Sequence, residues 1–255
     1  MILTDTHTHL YYEKDDVKRK ELIDRCFENG VERLFLPNVD AQSIPLVMNL
    51  ANTYPDSCFP MLGLHPCDVK EGYQTELDTI FESLSNYKVY AIGEIGIDLY
   101  WDKSTLSIQR EAFRKQIAWA KQLDLPIVIH CRDAFDEVYE VLQGEKDEKL
   151  KGIFHCFSGN ADQARKIIEL GFYLGIGGVV TYKNSGLDKV VAEIGLEHLV
   201  LETDAPYLTP VPFRGKPNES SYLVYVAAKV AEVKNKSLEE VAAITTENSK
   251  NIFKI

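Results

Sequence analysis

Short apolar runs recur along the whole chain with helix-length amphipathic stretches between them, and that alternation limits the folds open to it. Strands are expected at Ile2–His9, Val31–Pro37, Cys58–Leu64, Val89–Glu94, Pro126–His130, Gly152–His155, Phe172–Ile176 and His198–Leu201. Helices are expected at Lys14–Asn29 with Gly30 as its stop, Ala41–Tyr54, Glu76–Asn86, Ser104–Leu123, Ala134–Gln143, Ala161–Leu170, Leu187–Ile194, Ser220–Lys234 and Ser237–Phe253. Strands that alternate with helices pair in parallel, because each crossover needs a dozen or more residues. Eight such units in 255 residues point to an α/β fold of the closed (β/α)8 TIM-barrel type, with a doubly wound open sheet as the competitor. At 45% hydrophobic residues the chain can bury a large core. No internal repeat, low-complexity segment or linker divides it, so residues 1–255 are expected to be a single domain. The proline-rich stretch from Pro206 to Phe213 reads as a long loop after the eighth strand.

In a parallel barrel the C-terminal ends of all strands converge on one mouth, so distant residues become neighbours there. His7 and His9 close the first run, His65 follows the third, Glu94 ends the fourth, His130 the fifth and His155 the sixth, while Asp204 follows the eighth. Side chains alternate along a strand, so Asp5, His7 and His9 share a face. Of the six histidines only His198 begins a strand, which places it at the other end. A lone His-x-His pair is a metal site about half the time, and a lone glutamate is more often a salt-bridged carboxylate. The convergence of strand ends is what favours ligands here. Imidazoles and carboxylates without thiolates suit Zn, Mn, Fe, Co or Mg, and His7, His9, Glu94, His130, His155 and Asp204 outnumber the needs of one tetrahedral ion. Two divalent metal ions are therefore expected, with Glu94 between them and Asp204 taking the proton from a two-metal-activated water. His65 and Arg132, with Arg214 and Lys216, lie on mouth loops and are candidates for an anionic substrate. Exposed basic residues are usually only solvated surface. Tyr100 and Trp101 either stack on bases or pack their own loop.

A formal net charge of −11 and a pI near 5.1 argue against a broad basic nucleic-acid surface, though not against binding around metal ions. No leader-like segment and no membrane-length apolar run is seen, so a cytoplasmic protein without membrane contact is expected. The five cysteines are odd in number and scattered, as fits reduced packing thiols; Cys131 and Cys156 follow candidate histidines but face the other way. Gly175-Ile176-Gly177-Gly178 lacks the spacing of a dinucleotide loop and is read as tight packing or a mobile loop.

The runs Thr4-Asp5-Thr6-His7-Thr8-His9-Leu10, Gly63-Leu64-His65-Pro66, Ile92-Gly93-Glu94-Ile95-Gly96-Ile97-Asp98, Ile129-His130-Cys131-Arg132, His155-Cys156-Phe157-Ser158-Gly159 and Leu201-Glu202-Thr203-Asp204-Ala205-Pro206-Tyr207-Leu208 resemble those of the TatD family of metal-dependent deoxyribonucleases. The resemblance extends to Thr246-Glu247-Asn248. It implies an amidohydrolase-like barrel holding two divalent metals and a DNase, often a 3'-to-5' exonuclease on single strands. By position His7, His9, Glu94 and Asp204 would hold one ion and Glu94, His130 and His155 the other, with His65 and Glu202 as further functional residues near the substrate. The expected partner is single-stranded or end-bound DNA, and the expected form a monomer. The alternative is hydrolysis of a small amide, lactone or ester in the same barrel. Many such relatives bridge their metals through a carbamylated lysine on strand four, whereas this chain has Glu94 and no lysine there. A barrel kept only for binding would have lost ligands, and none is lost.

Overall fold

The computed structural model describes every residue from Met1 to Ile255. Its elements run β1 (Leu3–Asp5), α1 (Asp16–Glu28), β2 (Val31–Pro37), α2 (Ile44–Thr53), β3 (Cys58–Met61), α3 (Tyr73–Asn86), β4 (Ile92–Asp98), α4 (Leu106–Leu123), β5 (Ile127–Arg132), α5 (Phe135–Glu145), β6 (Gly152–Phe154), α6 (Ala161–Glu169), β7 (Tyr173–Ile176), α7 (Leu187–Glu193), β8 (Leu199–Leu201), α8 (Leu223–Lys234) and α9 (Leu238–Phe253). Local signals set the ends. The Asp15 carboxylate accepts the Val17 and Lys18 amides at the start of α1, and Gly30, at φ 76°, ends its run. Reciprocal capping boxes, Asn160 with Gln163 and Ser237 with Glu240, open α6 and α9.

All strand pairs are parallel, β1-β2-β3 in one ladder and β4-β5-β6-β7-β8 in another. A bridge between Leu62 and Ile92 joins β3 to β4. The ring closes where the Thr6 amide donates to the Leu201 carbonyl at 3.0 Å and Thr8 bridges Ala205. Strands therefore neighbour one another in sequence order around an eight-stranded barrel, with helices packed outside.

Two apolar layers follow from strand alternation. The outward residues pack against the helices in the main core. The inward ones, Phe35, Phe59, Met61, Ala91, Val128, Ile153 and Val200, fill the barrel together with Ile252 and Phe253 from the end of α9. The rings of Phe35 and Phe253 stack at 3.7 Å. Helix α9 thus plugs one end of the barrel and leaves the other open. No helix is long and apolar enough to cross a membrane.

Two strand boundaries differ from the sequence expectation in ways that matter for the site. The first run leaves its ladder at Asp5, because beyond it amides alternate between Phe35 on one side and Leu201 and Ala205 on the other. His7 and His9 therefore lie past β1 rather than on it. The fourth strand is Ile92–Asp98 and not Val89–Glu94, so Glu94 sits inside β4, within a register shift between Ile92 and Ile95 against β5. The glycines there permit close strand approach, since a methyl group at Gly96 would overlap the His130 carbonyl oxygen. Helix α3 begins at Tyr73, three residues before the expected Glu76, because Gly72 turns the chain at φ 84°.

Candidate metal centre

The open end gathers five of the six expected residues around the sixth, the carboxylate of Glu94. Glu94, almost fully buried on β4, points Oε2 toward His7 Nε2 (3.2 Å) and His9 Nε2 (3.7 Å). Its Oε1 faces His130 Nδ1 (2.8 Å), His155 Nε2 (3.5 Å) and His65 Nε2 (3.4 Å). Asp204 Oδ1 lies 3.6 Å from His9 Nε2 and 3.9 Å from both His7 and His155 Nε2. His7 and His155 stack face to face with centroids 3.5 Å apart, which brings the two ligand groups against each other.

The donor set fits divalent cations. Both ring nitrogens of His7 are buried and neither has a hydrogen-bond partner, because the Glu94 approach at 3.2 Å lacks hydrogen-bond geometry. A buried imidazole without partners is costly unless a cation takes its lone pair. Ligand atoms of His7, His9 and Glu94 lie within 4.8 Å of one another, as do those of His7, His155 and Asp204, and those of His65, Glu94 and His130. Burial pushes the Glu94 carboxyl up, but His65, His7, His155 and His130 outweigh it and hold it well below the usual range. Burial likewise disfavours a charged His155, yet Glu202, Glu94 and Asp204 overcome it and raise that imidazole to about 10.

Behind these groups stands a layer of orienting contacts. Asp98 Oδ2 lies 2.8 Å from His130 Nε2, leaving Nδ1 for the centre. Glu202 Oε1 lies 2.9 Å from His155 Nδ1 and also accepts the Cys156 amide at 2.6 Å. Tyr11 Oη sits 3.0 Å from His9 Nδ1 and donates to the Pro37 carbonyl. Asp5 does not join the imidazoles: it lies beneath them, accepting the Thr203 amide (2.9 Å) and hydroxyl (2.6 Å) and the His7 amide (3.3 Å), which ties the β1 end to the β8 end. The glycine run after β7 packs tightly, since a methyl at Gly175 would overlap Glu202 Oε2 and one at Gly178 the Leu208 carbonyl.

Glu202 was expected to face substrate, but it is fully buried behind His155 and cannot. Asp98 is a functional residue that the strand-end pattern alone does not single out. Its signal was in the spacing, because residues 94, 96 and 98 share one strand face. Arg132, exposed at the end of β5, touches none of the six and stacks its guanidinium 3.9 Å over Tyr100. Arg214 stacks 3.8 Å over Tyr182, and Lys216 lies 5.9 Å over Phe213. His198 lies before β8, paired loosely with Glu197 away from the centre. Beside His155 a cavity of about 470 Å³ runs between the loops after β5 and β6, lined by Asp133, Asp136, Glu137, Phe157 and Gln163 among others.

Residues 4–254 match the family model described as TatD related DNase. Over its whole length the chain is 46% identical to the whole of the uncharacterized metal-dependent hydrolase YabD of Bacillus subtilis. It is 32% identical to the 3'-5' ssDNA/RNA exonuclease TatD of Pectobacterium parmentieri, over 97% of this chain and 96% of that one. The crystal structure of YjjV, a TatD homologue of Escherichia coli, superposes with a TM-score of 0.93 at 30% identity, covering 99% of this chain and 98% of the other.

Proposed function

This chain belongs to the family of TatD-related DNases, and from that premise we propose that it is a metal-dependent hydrolase that cleaves DNA phosphodiester bonds, removing nucleotides 3'-to-5' from single strands. The observation that carries the reading is the division of Glu94, one oxygen toward His7 and His9 and the other toward His130 and His155. A carboxylate so placed suits a bridge between two divalent cations.

His7, His9, Glu94 and Asp204 would hold one ion, and Glu94, His130 and His155 the second. Bound there, Mg, Mn or Zn would acidify a water and neutralise charge on the phosphoryl oxygens. The protein supplies the rest. Asp204, less buried than Glu94, the other carboxylate at the centre, accepts the proton of the attacking water. Asp98 and Glu202 fix the rings of His130 and His155 and keep them from rotating. His65, half-buried on the loop after β3, reaches the same rim and meets a phosphoryl oxygen. Arg132, Arg214 and Lys216 offer local positive charge on an acidic chain, which favours a strand end over a long duplex.

Strand β4 carries no lysine, as a carbamate-bridged hydrolase of amides or lactones would require. Purified protein incubated with single-stranded DNA and Mg or Mn is expected to release mononucleotides, with two ions per chain by elemental analysis. Release no greater than that of Asp204→Ala removes this reading.

A further inference from the structure

We propose that Tyr100, Trp101 and Arg132 form a stacking platform for a nucleobase adjacent to the scissile phosphate, kept in register with the metal centre by Asp98. The inference rests on the phosphodiesterase reading and names what the site grips beyond phosphate.

Trp101 is 71% exposed and Tyr100 53%, whereas Trp119, the other tryptophan, is 5% exposed. Large aromatic surface left in water at the rim of a site is unfavourable unless something covers it. The pair is nevertheless anchored. The Tyr100 and Trp101 amides donate to Asp98 Oδ1 at 3.0 and 3.2 Å, and Asp98 Oδ2 holds His130. Gln109, buried on α4, clamps the Asp98 backbone from both sides, accepting its amide and donating to its carbonyl. One fixed carboxylate thus sets the positions of both a candidate metal ligand and two exposed rings.

Chemistry selects the occupant. The Arg132 guanidinium lies 3.9 Å over Tyr100 and 5.6 Å from Trp101, and the two rings meet edge to face at 4.9 Å. A guanidinium held flat on a ring keeps its edge free for a phosphate oxygen while the neighbouring ring faces stay open to a planar group. A nucleotide carries both. Trp101 also lines a cavity of about 180 Å³ with Pro66, Val69, Lys70, Asp98 and Asp102, so room for a planar group lies beside the ring. On the other side of His130 the wall is acidic, with Asp133, Asp136 and Glu137, and repels a phosphate chain. A strand that leaves the centre over the β4 loop instead meets the Arg132 guanidinium and the two open rings.

Acrylamide quenching of tryptophan emission tests this with the full-length protein, because Trp119 is buried and Trp101 is not. A hexathymidylate is expected to shield Trp101, whereas an abasic strand of equal length and inorganic phosphate are not. In turnover with Mn, Trp101→Ala is expected to raise KM for hexathymidylate about tenfold, with Trp101→Phe recovering most of it. A strand abasic at the position next to the scissile bond should show the same raised KM with wild type and no further rise with Trp101→Ala. Equal shielding by the abasic strand, or an unchanged KM in Trp101→Ala, overturns the platform while turnover stands. Shielding by thymidylate alone without turnover supports the platform and removes the hydrolase reading. Neither shielding nor turnover removes both.

Discussion

Asp98 Oδ2 lies 2.8 Å from Nε2 of His130, and the other nitrogen of that ring lies 2.8 Å from Glu94. The ring is thus held at both ends by acceptors, and its orientation does not depend on an ion. Burial raises the Asp98 carboxyl, but His130 and the Trp101 and Tyr100 amides outweigh burial and bring it down to about 2. Replacing Asp98 by Asn keeps the shape and weakens the hold on the ring. Its Mn affinity, read by chelator competition, is expected to fall about 10- to 100-fold. Unchanged affinity would show that His130 needs no such support.

Gly175 and Gly177 offer a matched pair. A methyl at Gly175 would overlap Glu202 Oε2, while at Gly177 its nearest neighbour is the Glu202 carbonyl oxygen at 3.6 Å, an ordinary contact. Gly175→Ala should push Glu202 away from His155 and lower both metal affinity and Tm, by about 1–3 kcal/mol as for an overpacked core. Gly177→Ala should leave metal affinity close to wild type. Differential scanning calorimetry and metal titration on the two variants decide the matter, and equal effects would detach Glu202 from the site.

Removing the ions should destabilise the fold by mass action. At a metal concentration 100 times Kd, each ion bound only to the folded chain adds about 2.7 kcal/mol, so the two together are worth about 10–20 °C in Tm for a chain of this size. Scans with EDTA and with excess Mn or Zn are expected to differ by that amount. Coincident curves would speak against a metal site at the open end.

Phe253 tests the plug at the opposite end. It stacks on Phe35 inside the barrel and is 3% exposed. Phe253→Ala should cost about 3–5 kcal/mol in urea unfolding through the cavity it leaves. Since it lies far from the mouth, metal affinity of the folded variant should hold. A loss below 1 kcal/mol would show that the barrel floor collapses around the gap.

Asp124 supplies an effect of pH away from the centre. Lys254 and Lys151 hold its carboxyl down at about 2, tying the chain end to the turn after α4. A carboxyl depressed in the folded state adds stability above its ordinary pKa near 4, and that share is lost as pH falls toward 2. Between pH 4 and 2, Asp124→Asn should therefore lose Tm less steeply than wild type. The effect is small, because the pair is in water.

The sequence made the barrel legible through alternation, and the metal centre through residues that end apolar runs. His7, His9, Glu94, His130, His155 and Asp204 do meet, as the convergence of strand ends demands. Support was harder to read than contact. Asp98 and Glu202 look like any strand-end acid until the register places one on His130 and buries the other behind His155. The fourth strand reads as ending at Glu94, yet Gly93 and Gly96 let β4 press on β5 and continue to Asp98. Asp5 shares a face with His7 and His9 by alternation, but depth rather than direction decides its partners. Depth is set by neighbours that local pattern does not contain.

The ring is made of two arcs, β1–β3 and β4–β8, joined by hydrogen bonds beside Leu62 and between Thr6–His9 and Leu201–Ala205. His7, His9 and His65 come from the smaller arc, while Glu94, His130, His155 and Asp204 come from the larger. Any ion shared across Glu94 would act as a clasp over both seams. The emptied chain would lose that clasp at once on both sides, so the reaction centre and the two joins of the wall are one and the same place.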